Sequence, residues 1–274
     1  VSPLHWLGPG GWRRAWARIA RYGGSGRPVE PNLRCLCPFT FAPVNARFPL
    51  DSDWLLRRSL DWTAPPLRRT MRRLEFGRPH ALIVQSLFFA PLARSLAGAP
   101  LIYRMTDDFE AFPGMPRALR RAEPPLLRAA ALATASSHRL AERCRRLGAR
   151  RVELLPHGVD LAKYRNIDMD FARRPKRAAY VGALDSWFYA EMAAEAARRL
   201  PDWRFEIAGP AGPAADLAPL RSLPNARILG PIAHDRVPDF LGQARIGLIP
   251  FRRTALIESV HPLKLYEYLA AGLN

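Results

Sequence analysis

The 274-residue chain has only three cysteines, Cys35, Cys37 and Cys144. Their number and spacing build neither a disulfide framework nor a zinc pattern, and they imply a reducing, cytoplasmic compartment. Long apolar runs are also missing. The most apolar region, residues 81–103, is broken by Gln85, Pro91, Arg94 and Pro100, so it reads as strand, helix and strand rather than a membrane span. Pro3, His5 and Pro9 stand where a secretion signal would need an uninterrupted apolar segment, so none is read. Lysine is absent from the first 155 residues: all 26 cations there are arginine, against 11 Asp and Glu. Residues 156–274 are nearly balanced, with 16 Arg and Lys against 13 Asp and Glu.

The resulting net charge of +18 is a common mark of nucleic-acid binding. No helix-turn-helix, zinc finger or aromatic RNA-binding signature accompanies it, so no specific nucleic acid is expected. An anionic membrane surface suits the arginines as well, at about 1 kcal/mol per basic residue near the lipid. The simplest alternative is a solvated basic surface. Hydrophobic residues make up 49% of the chain, which supports a packed core and excludes a disordered polycation. The length fits one large domain or two of ordinary size.

Taken in order, residues 12–22 place Trp12, Trp16 and Ile19 at helical spacing with arginines on the flanks. That pattern suits a bilayer interface or a short packed helix. Strands are expected at 33–37, 81–85, 101–105, 131–135 and 152–155, and helices at 92–97, 117–128 and 137–147, the last capped by Ser136 or Ser137 and ended by Gly148. Residues 51–73 read as a long basic helix interrupted at Pro65-Pro66. The charged segment 163–176 reads as a connection between domains. Beyond it, strands are expected at 178–184, 204–210, 226–232 and 246–251, with helices at 186–200 and 235–243.

Two stretches carry chemistry. Thr106-Asp107-Asp108-Phe109-Glu110 follows the strand 101–105, and ligands collect beyond the carboxyl ends of such strands. Adjacent carboxylates there, one held by neighbours and one exposed, suit a general base for a hydroxyl; the plain reading is a loop with a capping Asp. Asp107 and Asp108 are the candidates, with Glu110 a third. The second stretch runs from Ser259 to Gly272. Pro262 suits a helix start and Gly272 its end, with Leu265, Leu269 and Tyr268 facing inward and Lys264 and Glu267 on the other face. Free N–H groups, the positive dipole end and an ammonium make a place for a diphosphate. The plain reading is a solvated Lys–Glu pair. Gly182, in the turn after 178–181, permits close phosphate approach or a tight turn.

The segment Ser-Val-His-Pro-Leu-Lys-Leu-Tyr-Glu-Tyr-Leu-Ala-Ala-Gly, residues 259–272, resembles the donor-binding helix of GT-B glycosyltransferases, especially the bacterial group-1 (family 4-like) and xanthan-glucuronosyltransferase-like branch. Pro-His-Gly-Val-Asp at 156–160 resembles the turn that opens their second domain, and Tyr-Val-Gly-Ala-Leu-Asp at 180–185 their first glycine turn. The resemblance implies an α/β chain of two Rossmann-like, parallel-sheet GT-B domains. Residues 1–155 would be the acceptor side and 156–274 the nucleotide-sugar side, both incomplete, so the chain reads as a fragment. It implies that Glu267 holds the donor ribose, that Lys264 and the backbone of Ser259, Val260 and His261 meet the diphosphate, and that Gly230 and Ile232 lie near the base. Asp107 or Asp108 would deprotonate the acceptor, since related bacterial enzymes carry a similar Asp-Asp-aromatic loop. Where many family-4 enzymes have a second Glu, this chain has Ser259, with Glu258 one place off.

The implied activity is metal-independent transfer of a hexosyl-type sugar from a UDP- or GDP-sugar to a glycan or lipid-linked acceptor, in exopolysaccharide or envelope synthesis. No cofactor is implied, and the protein would be cytoplasmic or peripheral on the inner membrane face. Two rivals stand beside it: a nucleotide-sugar 2-epimerase of the same fold, and a non-enzymatic basic fragment that binds nucleic acid or membrane.

Overall fold

The computed structural model describes residues 27–273 except 31, 37, 42–43, 77–78, 97 and 113. The tryptophan-containing segment 12–22, Cys37 and both chain ends lie outside the described residues. The chain divides into two compact units, Val1–Leu155 and Pro156–Asn274.

The first unit opens with β1 (Arg27–Glu30) antiparallel to β2 (Leu33–Cys35). Next come β3 (Phe39–Thr40), α1 (Asp53–Arg58), β4 (Thr63–Ala64) and α2 (Leu67–Arg73). The long helix expected over 51–73 is broken at Pro65-Pro66 as read, but its first half already ends at Arg58, leaving two short helices. Pro65 and Pro66 supply no N–H and push the preceding residue into extended backbone. Thr63 and Ala64 pair antiparallel with β3 instead.

A four-stranded parallel sheet then follows in sequential order: β5 (Leu82–Val84), β6 (Leu101–Met105), β7 (Leu132–Ala135) and β8 (Val152–Leu154). Helices α3 (Ala90–Ser95), α4 (Arg117–Ala129) and α5 (His138–Arg146) connect them. Along β6, Leu101, Tyr103 and Met105 alternate inward, as period-2 burial requires. The Ser137 hydroxyl caps α5 by accepting from the Leu140 N–H, and Gly148 ends it at φ +97°.

The second unit is another parallel sheet, made of β9 (Arg177–Val181), β10 (Arg204–Ala208), β11 (Ala226–Gly230) and β12 (Ile246–Gly247). Its helices are α6 (Ala190–Arg199), α7 (Ala218–Arg221), α8 (Val237–Gly242), α9 (Ala255–Ser259) and α10 (Leu263–Ala270). Strand order is β11-β10-β9-β12. The chain thus steps outward from β9 to β11, then crosses to the opposite side of β9, and the order reverses between β9 and β12.

Several expected elements are shorter than read, two of them for visible reasons. Helix α6 starts at Ala190, not 186, because the preceding residues are stitched to neighbouring loops: the Leu184 N–H reaches the Pro210 carbonyl at 2.9 Å and the Tyr189 N–H the Pro250 carbonyl at 2.7 Å. The strand expected over 246–251 pairs only at Ile246–Gly247, although the Leu248 N–H still donates to Ala179 at 2.8 Å. Pro250, with no N–H, cannot extend the ladder. Among the described residues, no helix is long and apolar enough to cross a membrane.

Candidate functional site

Strands β9 and β10 are each followed directly by a glycine, and β11 ends in one. Gly182, Gly209 and Gly230 have φ of +148°, +149° and +74°, values that side chains resist. The three turns lock together: the Gly182 N–H donates to the Ala208 carbonyl at 2.9 Å, and the Gly209 N–H to the Gly230 carbonyl at 2.7 Å. Tyr180 adds a brace, its hydroxyl donating to the Ala183 carbonyl at 2.8 Å. The result is a side-chain-free crest along the carboxyl edge of the sheet, beside the β9/β12 reversal. Open α/β sheets bind ligands at such a point.

Helix α10 is pinned over this crest by Tyr268. Its hydroxyl donates to the Leu248 carbonyl at 3.0 Å and accepts from the Val181 N–H at 3.3 Å. Its ring lies so close to Gly247 that a Cβ there would overlap it. Gly272, at φ +67°, closes the helix, with the Leu273 N–H on the Tyr268 carbonyl at 2.9 Å.

This register corrects the expected helix orientation. Leu265 and Leu269 are exposed, at 41% and 61%, not inward. The inward stripe is Lys264, Glu267, Tyr268 and Ala271, at i, i+3, i+4 and i+7. Tyr268 and Ala271 are buried, and Lys264 and Glu267 partly so.

Lys264 lies across Gly182, where a Cβ would overlap its Cε and Nζ. Its ammonium stands 5.1 Å from the Tyr180 ring centroid and 5.5 Å from that of Phe251. Burial holds its pKa below the ordinary lysine value, against an opposing pull from Glu267. Burial likewise raises the Glu267 carboxyl above its ordinary value, with His234, Lys264 and Lys163 pulling the other way. Tyr164, buried near Glu267, is pushed up to about 12. Neither the Lys264 nor the Glu267 side chain has a hydrogen bond or ion pair among the described residues. Half-buried charges without partners cost free energy, and an incoming anion and hydroxyls would relieve that cost.

The remaining expected donor residues are placed as follows. Ser259 is fully buried, its hydroxyl donating to the Leu256 carbonyl at 2.7 Å. The Val260 N–H is spent on Ile257 at 3.2 Å, ending α9. The His261 ring meets Tyr266 edge-on, with the Tyr266 hydroxyl 3.3 Å from Nδ1. No side chain caps α10, so its first turn keeps its dipole end uncovered by a cap. A Cβ at Gly230 would meet open space, and Ile232 packs, partly exposed, in the cluster of Tyr164 and Tyr268.

In the first unit, the carboxyl ends of three strands are tied together below Asp107. The Ser136 hydroxyl donates to the Thr106 carbonyl at 3.1 Å, and the Gln85 amide to the Thr106 hydroxyl at 3.4 Å. That hydroxyl donates to Asp107 at 3.0 Å. Asp108 has other work: it accepts the Glu110 N–H at 3.1 Å and lies 3.3 Å from Arg143 Nε. Arg143 also holds Glu110 at 2.7 Å and Glu123 at 2.8 Å, and buried Glu123 accepts the Tyr103 hydroxyl at 2.8 Å. Asp108 is thus the held carboxylate and Asp107 the one with a single hydroxyl partner. Arg143, Glu123 and His234 went unmarked in the sequence, while Tyr180, Phe251 and Lys163 fell within segments that were read but were given no role there; only the fold shows what they contact. Among the described residues, no group of three His, Cys, Asp or Glu is gathered as a metal site.

No family model matches the chain. Over 95 residues it is 35% identical to a Bacillus subtilis (strain 168) protein named "Putative teichuronic acid biosynthesis glycosyltransferase TuaH", a match covering 34% of this chain and 24% of that one. Its structure resembles sucrose-phosphate synthase from Thermosynechococcus elongatus, with a TM-score of 0.64 and 15% identity, over 91% of this chain and 66% of that one. It also resembles Anabaena HepE in complex with UDP, with a TM-score of 0.53 and 16% identity, over 77% and 62%. The chain therefore spans about a quarter of the curated relative and just under two thirds of these structures. Its fold is GT-B.

Proposed function

We propose that this GT-B chain is part of a glycosyltransferase that moves a sugar from a nucleoside-diphosphate sugar to an acceptor hydroxyl. One observation carries the reading. Lys264 lies over Gly182 beside the β9/β12 reversal and Glu267 shares its inward face one turn on, both half-buried and neither side chain hydrogen-bonded or ion-paired among the described residues. In this reading the Lys264 ammonium and the first turn of α10 take the diphosphate, and stabilise it as the leaving group. Glu267 accepts the ribose hydroxyls, and Gly182 lets the phosphates approach the backbone. Gly230 and Ile232 border the base, while Ser259 and Val260 shape the turn before α10 instead of donating to the ligand. Asp107 is the acceptor's general base, and Asp108 holds the loop.

HepE is a neighbour described with UDP and with UDP-glucose, which favours a uridine donor. The similarity to a teichuronic acid biosynthesis protein favours an envelope or exopolysaccharide acceptor, glycan or lipid-linked. Diphosphate neutralisation by an ammonium and a helix dipole calls for no metal and no cofactor. The test is release of nucleoside diphosphate by the full-length protein from a panel of UDP- and GDP-sugars, with a membrane lipid extract as acceptor. Release from one donor, abolished by Asp107→Asn, supports the reading. A folded protein that neither binds nor turns over any of them contradicts it.

A further inference from the structure

One cavity among the described residues lies away from both chemical stretches. It occupies about 520 Å³ in the first unit, between α1, α3 and α4, with Pro100 and Leu101 at its floor. Leu101 begins β6 and Asp107 follows its end, so the cavity opens near the opposite edge of that sheet, roughly 13 Å away along the strand. The volume is within the range of about 300–1,000 Å³ typical of small-molecule sites.

Its chemistry is narrow. The walls are alanine, proline and leucine, among them buried Leu56, Pro91 and Leu126. Among the described residues no aromatic ring lines it, so none there stacks on a sugar or base, and the charged side chains are those of Asp53, Arg57, Arg94 and Arg121. Arg121 holds Asp53 at 3.1 Å, whereas Arg57 and Arg94 have no carboxylate partner among the described residues. An apolar chamber with two spare guanidiniums matches an alkyl chain that ends in an anion.

The surroundings give the source. Trp54, one helical turn from Arg57 and Arg58, is 52% exposed and packs edge-on against exposed Trp62, with centroids 5.2 Å apart. Phe88 and Phe89, just before α3, are exposed too. Exposed aromatics among arginines are the composition of a membrane-interface surface. A basic protein segment, such as residues 12–22 of this chain, would be repelled by the unpaired arginines.

We infer that this cavity takes one alkyl chain of an anionic membrane lipid, with the headgroup held by Arg57 and Arg94. The site goes beyond the proposed sugar transfer and stands whether or not that reading holds.

The probe is monomeric dodecyl phosphate, titrated into the intact protein by calorimetry, beside sedimentation with phosphatidylglycerol-containing and pure phosphatidylcholine vesicles. Affinity should rise about fourfold per added methylene from octyl to dodecyl phosphate. Ala122→Phe, which fills the cavity, and the surface pair Arg57→Glu/Arg94→Glu should each weaken binding at least tenfold. Both should also reduce sedimentation with the anionic vesicles. Equal affinity for octyl and dodecyl phosphate, or unchanged binding by folded Ala122→Phe, overturns the chain site. Dodecyl phosphate binding without recruitment to anionic vesicles overturns the membrane source. If no probe binds the unaltered protein, the assignment fails.

Discussion

Replacing each crest glycine with alanine should produce a graded series whose order is set by what the new Cβ meets. At Gly230 it meets open space, so only the positive φ counts, at about 1–2 kcal/mol. At Gly182, the backbone strain of about 1–3 kcal/mol is joined by overlap with the end of the Lys264 side chain. That side chain is flexible and can move, so the added cost to folding is small. The cost to binding is not, because the ammonium leaves its place above Tyr180 and Phe251. Loss of one charge-assisted hydrogen bond, about 1.5–3 kcal/mol, lowers nucleotide affinity about tenfold or more. At Gly209 the Cβ falls on the Gly182 carbonyl oxygen, which is backbone and cannot yield without separating β9 from β10. Thermal unfolding should therefore rank the variants Gly230→Ala mildest, then Gly182→Ala, with Gly209→Ala far worst. Calorimetry with UDP should show Gly182→Ala losing more affinity than its stability change explains. A Gly182→Ala protein that binds UDP like the unaltered one would refute the placement of Lys264.

Other consequences follow from the same geometry. Arg143→Met strands buried Glu123 with only the Tyr103 hydroxyl, and should destabilise the first unit by about 3–5 kcal/mol in denaturant unfolding. Asp107→Asn should keep the melting temperature and lower turnover about 10²–10⁴-fold, whereas Asp108→Asn, which keeps the turn's acceptor, should lower the melting temperature through its lost ion pair with Arg143. Nucleotide affinity should fall as pH rises through the lowered Lys264 pKa and as pH drops through the raised Glu267 pKa, and Lys264→Met should erase the alkaline limb. Because the Glu267 pKa is higher folded than unfolded, its stabilising contribution is present at acid pH and lost as pH rises through the folded value. Glu267→Gln should accordingly melt higher than the unaltered, unliganded protein at neutral pH.

The parallel strands were legible because each is a short apolar run between turn residues; 101–105 lies where it was read, and Ser137 and Gly148 end α5 as their chemistry demands. Helix α10 was legible in position but not in orientation. Counting apolar residues turns Leu265 and Leu269 inward, yet the helix is fixed by Tyr268 bonding to Val181 and Leu248 across the bare backbone of Gly247. Those contacts span 87 and 20 residues and leave no periodic trace. The same is true of Arg143, which joins carboxylates 20 to 35 residues earlier in the chain. Nearby motifs mark where chemistry sits; the partners that hold it are set by tertiary packing.

The central claim is that the inward pair on α10 reads a nucleoside diphosphate, with Lys264 on the phosphates and Glu267 on the ribose. A calorimetric cycle tests it most directly: UDP and its ribose-deoxy analogues against the unaltered protein, Glu267→Gln and Lys264→Met. The account predicts that removing the hydroxyl and removing the carboxylate each weaken binding but do not add, while Lys264→Met costs UDP far more than uridine. Fully additive losses, or equal losses for UDP and uridine, would contradict it.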